Sequence, residues 1–341
     1  MGRGSVKRHS QHSPESRRTF NRLLVGLVAA ASRIAIAQSP TVIRRIGRLE
    51  AGAPDTPEDM WEQAAPLRDL GWREGRNLQV ERRYANGRLE VLQSLAEELL
   101  RAKVEIIVTG GAEPTRAAMR ATTTIPIIFR AASDPVLNGL VASLARPGGN
   151  VTGFSVVAPE AQGKMLSLFK ELVPELRRIG VLEVSGNPQF RLFRPQFEQA
   201  CRLLALEPVF VEVAIAGEIE GAIAQLAPPR AEALVLRPDS LINEHMVQIA
   251  SAALRHGLPT MASDAQFVRE AGILASYGST VAEGERRTAS FVDRVLRGAK
   301  PADLPVEQPT QFKIAINLKT ARALRLSVPK SMLLRADELI R

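Results

Sequence analysis

Short runs of Val, Ile and Leu alternate with longer stretches whose apolar residues recur every three to four positions, and the two patterns take turns along most of the chain. The apolar run 42–49 is followed by helical spacing over 57–70, and 104–108 by helical spacing over 114–121. The run 125–129 leads into a polar turn and a predicted helix. There Ser133 and Asp134 stand where capping residues belong and Pro135 takes the first helical position. Arg146-Pro147-Gly148-Gly149 stops that helix ahead of another apolar strand. The second half repeats the theme: 179–184 then 190–204, 209–213 then 219–226, 233–236 then a single helix over 241–255, and finally 260–262. Continuous apolar runs are buried on both faces, so the alternation predicts parallel sheets covered by helices.

Some three hundred residues exceed what one core accommodates, and two similar halves of roughly 110 residues predict two doubly wound, Rossmann-like α/β lobes. The expected division is lobe 1 over 38–157, lobe 2 over 158–276, and hinge crossings with shared C-terminal elements over 277–341. Crossings are expected near 155–159, 277–279 and 302–311. Such a multi-strand hinge bends while limiting twist. Open parallel sheets bind ligands outside the carboxyl ends of their strands, so the binding place is expected between the lobes.

The first residues alter this picture. Ser16-Arg17-Arg18-Thr19-Phe20-Asn21 precedes an apolar run over 23–31, and Ala35-Ile36-Ala37 has the small residues that signal peptidase prefers. This is the layout of an export signal over 1–37, its paired arginine pointing to the twin-arginine route, with cleavage near Ala37 and a periplasmic destination. Arg33, between the apolar core and the cleavage site, departs from the usual pattern. The apolar run falls short of the roughly 20 residues that span a bilayer. The whole chain carries a net charge of +9, but beyond residue 37 only 38 basic residues face 35 acidic ones, a net charge of +3. A nucleic-acid partner loses its main support. Cys201 is the one cysteine and follows Phe197 at helical spacing, which reads as a small core residue.

Thr109-Gly110-Gly111-Ala112-Glu113-Pro114-Thr115 follows a strand and opens a helix, a place where glycines let an anionic group approach the backbone. Neither a Gly-Lys-Ser/Thr nor a Gly-x-Gly-x-x-Gly pattern is present, which argues against nucleotides. Gly110, Gly111 and Thr115, together with Ser133 and Asp134 at the end of the next strand, form the first half of a candidate site. Trp61 and Trp72 read as structural. Catalytic and metal constellations are missing from the sequence. His9 and His12 lie in the export segment, while His245 and His256 are eleven apart on one predicted helix, about three turns. No Cys/His cluster suits zinc, no loop has calcium spacing and no Gly-x-Ser-x-Gly elbow occurs. An enzyme is disfavoured, and no cofactor is called for.

The stretch 125–155, with Gly71-Trp72-Arg73-Glu74-Gly75-Arg76-Asn77, Ser276-Tyr277-Gly278 and the segment 298–309 (Gly-Ala-Lys-Pro-Ala-Asp-Leu-Pro-Val-Glu-Gln-Pro), resembles the ABC-transporter substrate-binding protein family, whose known members bind aromatic amino acids. The resemblance spans nearly everything after Gln38. It implies the type I periplasmic binding protein architecture, a Venus flytrap that closes on a small-molecule solute and docks on ABC permease subunits in the membrane, working as a monomer. It places the second half of the cleft at Asn187, Asp239 and Asp264, each of which serves equally well as a helix N-cap. A ligand ammonium needs a carboxylate in the closed cleft, because a buried unpaired charge is costly, and Asp239 and Asp264 are the first candidates for it. Tyr277 stands at an expected crossing, where its ring would wall the cleft or simply fill the hinge. The sequence departs from its relatives at Arg48, Arg130 and Arg237, each near the carboxyl end of a predicted strand. As anion contacts they favour a carboxylate-rich or aromatic-acid ligand; the alternative is pairing with Glu50 or Glu183 at the rim. A periplasmic sensor on the same fold stays open beside transport. A LacI-like regulator would need an N-terminal helix-turn-helix where the export signal stands.

Overall fold

The computed structural model describes Met1 and residues 43–132, 134–155 and 159–341. The expected export signal, Met1 apart, and Ser133 lie outside the described residues.

The first sheet takes β1 (Arg44–Glu50), β2 (Leu78–Tyr84), β3 (Ile106–Gly110), β4 (Ile127–Ala132) and β5 (Val151–Ser155) in the order β2-β1-β3-β4-β5, every pair parallel. Helices α1 (Pro57–Asp69), α2 (Leu92–Arg101) and α3 (Ala112–Ala121) connect them. Strand alternation assigns the faces. Leu49 of β1 packs with Leu92 and Leu99 of α2, while Ile46 packs on the opposite face with Phe291 and Val292 from much later in the chain.

The second sheet holds β6 (Arg178–Val184), β7 (Glu207–Val213), β8 (Ala233–Val235), β9 (Thr260–Ala262), β10 (Ala275–Gly278), β11 (Lys313–Asn317) and β12 (Glu338–Ile340), in the order β12-β11-β10-β9-β8-β6-β7. Its pairs are parallel except β10 with β11. The interleaved helices are α4 (Pro159–Leu172), α5 (Pro188–Leu203), α6 (Ile219–Leu226), α7 (Ser240–Glu244), α8 (Met246–Arg255) and α9 (Ala265–Glu270), with α10 (Val281–Leu296), α11 (Leu318–Ala323) and α12 (Lys330–Arg335) after β10. Phe197 and Cys201 of α5 are fully buried in one of this lobe's two cores, and burial pushes the Cys201 thiol up to about 12.

The chain passes between the sheets three times. It leaves the first sheet after Ser155 for α4, and returns after Gly278 so that α10 packs on β4 and β5 of the first sheet. It crosses again after Glu307, whose backbone bridges Phe154 and accepts a hydrogen bond from Ser155 N–H at 2.9 Å, before entering β11. Each crossing meets a sheet at its carboxyl edge, because antiparallel β11 starts opposite the end of β10, Lys313 beside Gly278. The two carboxyl edges are therefore turned toward the junction.

Three local expectations are corrected. No helix follows Asp134: one turn forms, with Asn138 N–H donating to the Asp134 carbonyl at 3.0 Å, and Gly139 at φ 67° breaks it. Leu140 and Val141 then drop into the first core. The single helix over 241–255 is two, interrupted at His245 (φ −106°, ψ 21°), so the two histidines do not share one helix. Strand β2 and helix α2 were not anticipated. β2 is an edge strand whose Gln79, Glu81, Arg82 and Arg83 hide the apolar signal. Among the described residues, no helix is long and apolar enough to cross a membrane.

Candidate functional site

At the first sheet's edge, the Thr109-to-Thr115 turn is filled from within the protein. Thr115 lies inside α3, fully buried, its hydroxyl donating to the Gly111 carbonyl (2.6 Å) and lying 2.7 Å from that of Thr109. Gly111 N–H donates to the Arg130 carbonyl at 3.0 Å. Gly110 leaves room for the carboxylate of Glu50, which a Cβ there would overlap unless that side chain shifted. Asp134 accepts a hydrogen bond from Leu137 N–H (2.9 Å) and so caps the single turn.

That Glu50 carboxylate belongs to an ionic network that also answers for two of the three unusual arginines. Arg48 and Glu50, two apart on β1, share a face, and Arg48 Nε lies 2.8 Å from Glu50 Oε1. Arg130, at the end of β4, reaches Glu50 at 3.2 Å and Glu285 of α10 at 2.9 Å. Arg48 lies 3.7 Å from Glu285 and 4.0 Å from Asp55. Burial works against the Arg130 charge, but Glu50 and Glu285 more than offset it and hold the guanidinium protonated. Tyr84 donates to Asp55 at 2.8 Å, and burial together with that bond pushes its phenol up to about 12. Two guanidinium groups thus meet three carboxylates. Glu285, Asp55 and Tyr84 were not anticipated. The Arg48–Glu50 spacing is visible in the sequence, but nothing local announces Glu285, 155 residues beyond Arg130.

At the second sheet's edge, Asn187 Nδ2 donates to Asp239 at 2.7 Å, which joins the turns after β6 and β8. Asp239 accepts from Leu241 N–H and Asp264 from Gln266 N–H, each at 2.8 Å, so both cap helices. Burial raises the Asp264 pKa in spite of its cap bond. Arg237 stands apart from the other two arginines. Its guanidinium carbon lies 5.4 Å from the ring centroids of Phe190 and Phe193 and 6.0 Å from that of Phe197, all on α5. Its Nη1, closed off from solvent, has no hydrogen-bond partner among the described residues. Burial pushes its pKa down to about 10, with Glu183 only partly compensating. Glu183 is itself held by Arg194. Tyr277, on β10, stacks on Phe312 of the third crossing, centroids 5.4 Å apart and planes 22° from parallel, and packs against the lobe 2 core.

The sequence profile of the ABC transporter substrate binding protein family matches residues 63–340. The chain belongs to that family. As an ABC transporter substrate-binding protein it is 29% identical, over 275 residues covering 80% of this chain and 79% of the relative, to a tyrosine-binding protein of Clostridioides difficile. A solved ABC domain in complex with L-Trp from Streptococcus pneumoniae matches 87% of this chain and 100% of its own, at 26% identity and a TM-score of 0.79. A conserved domain protein of Vibrio cholerae shares the fold over 87% of this chain and 99% of its own, with 24% identity and a TM-score of 0.81. The substrate-binding protein accordingly has the type I periplasmic binding protein architecture, two α/β lobes with largely parallel sheets.

Proposed function

We propose that this substrate-binding protein is the exported solute-capturing component of an ABC importer, taking an amino-acid-like, aromatic solute between its lobes and handing it as a monomer to a membrane permease. The observation that carries this reading is that all three crossings meet the sheets at their carboxyl edges, the edges that carry Asp134, Asn187, Asp239 and Asp264. The relatives' ligands, tyrosine and L-Trp, supply the solute class. Asp264, half-buried and in no ion pair among the described residues, is the preferred receiver of the ammonium group. The Gly110–Gly111 backbone and Asp134 offer polar contacts from lobe 1, and Tyr277 walls the cleft next to the hinge. Family membership fits work outside the cytoplasmic membrane, and the N-terminal pattern fits delivery to the periplasm.

The test is a thermal-shift screen of the purified protein against amino acids, aromatic carboxylates and sugars, with calorimetry on every hit. Stabilisation by aromatic amino acids with one-to-one stoichiometry is the expected result. Stabilisation by sugars alone, or a substrate consumed during the titration, would sink the proposal.

A further inference from the structure

The three unusual arginines are not equivalent. Arg48 and Arg130 face Glu50, Glu285 and Asp55, and that lobe 1 edge carries more negative than positive charge. A solute carboxylate approaching it meets net repulsion, even though Arg48 Nη2 and Arg130 Nε lack hydrogen-bond partners among the described residues. Arg237, at the corresponding edge of lobe 2, has no hydrogen-bond partner for its Nη1 among the described residues. Its guanidinium carbon lies over the rings of Phe190, Phe193 and Phe197, which desolvate it. Cation–π contact satisfies the face of a guanidinium but not its edge, and a covered N–H without an acceptor costs stability. Nη1 is in that condition. The acid that acts on it electrostatically, Glu183, is 2% exposed and engaged by Arg194 through Oε2, while its Oε1 is likewise buried without a hydrogen-bond partner among the described residues. The residue lies two positions past β8, in the turn that Asn187 and Asp239 tie together, and it is partly exposed.

We infer that Arg237 is the carboxylate anchor of the cleft, so that lobe 2 grips the anionic end of the solute and the required ligand class is an aromatic carboxylate, with or without an α-ammonium group. The inference rests on the cleft-binding reading above and narrows it. An aromatic 2-hydroxy acid should bind as an amino acid does, and the matching amine should not.

Calorimetry on the full chain decides this with three probe pairs: L-tyrosine and L-tryptophan, 4-hydroxyphenyllactate and indolelactate, tyramine and tryptamine. The wild-type protein is expected to bind at least one amino acid or hydroxy acid about tenfold to a hundredfold more tightly than the corresponding amine. Arg237→Gln should erase that difference by weakening the carboxylates alone, Arg237→Lys should restore part of it, and melting curves should show both variants folded. Wild-type protein that binds the amines as tightly as the acids overturns the anchor without any variant. So does an Arg237→Gln protein that keeps full affinity for the acids. Silence toward all six probes overturns the cleft-binding reading and the anchor with it, so the two failures are distinguishable.

Discussion

Glu50 serves two arginines and a glycine at once. Its Oε1 lies within 3.2 Å of nitrogens on both Arg48 and Arg130, and its other oxygen occupies the space that a side chain at Gly110 would need. With Arg48 only 11% and Arg130 21% exposed, removing the carboxylate leaves two poorly solvated cations sharing Glu285. Glu50→Ala should destabilise the fold by about 3 kcal/mol, read as a lower urea midpoint at unchanged slope. Tyr84 gives a second residue-scale prediction. Its phenol is raised from 10.0 to about 12, so the neutral form is favoured by folding. That contribution is fully present below pH 10 and is lost as pH rises through about 12. A Tyr277→Phe protein, in which Tyr84 is the single tyrosine, should show its absorbance step at 295 nm near pH 12, and adding Tyr84→Phe should flatten the stability loss between pH 10 and 12. A step near pH 10 would refute the burial argument.

Helix α10 is the element on which the first lobe most depends, although it follows β6 to β10 of the second sheet in sequence. Its buried Phe291, Val292, Val295 and Leu296 cover the face of β1, β3 and β4 opposite α2 and α3, and its Asp293 accepts a hydrogen bond from the Trp72 indole at 2.9 Å. Trp72→Phe keeps most of the apolar packing and loses that bond, so it should cost about 1 kcal/mol by denaturant titration. Elements with an unambiguous period were legible in the chain: the buried strands β3, β6 and β8 read as apolar runs, and α5 as helical spacing that carries Phe197 and Cys201. The failures have physical causes. β2 is polar along its exposed edge, and the segment after Asp134 has a helix start but a glycine at φ 67° five residues on. Local pattern places Arg237 at a strand end, but only the folded chain brings three rings under it and leaves its Nη1 without a hydrogen-bond partner among the described residues.

For the molecule as a whole, two lobes on three connectors can trap a solute only if the closed arrangement binds it more tightly than the open one. Solute at a hundred times its dissociation constant should add about 2.7 kcal/mol to stability, and small-angle scattering should show a smaller radius of gyration in its presence. A stabilised protein of unchanged radius would mean that the lobes are already closed. The antiparallel strand β11 carries a further consequence, for how the protein is made. Lobe 1 lacks α10 until the ribosome has finished nearly all of lobe 2, and the second sheet lacks β11 and β12 until residues 313–341 emerge. Neither lobe is a self-contained length of chain, so the two cannot mature one after the other like beads on a string. A premature stop codon ahead of Lys313 leaves β10 as a bare edge with unpaired backbone groups. Its product should be an aggregating fragment lost from the soluble fraction, rather than a shortened binder.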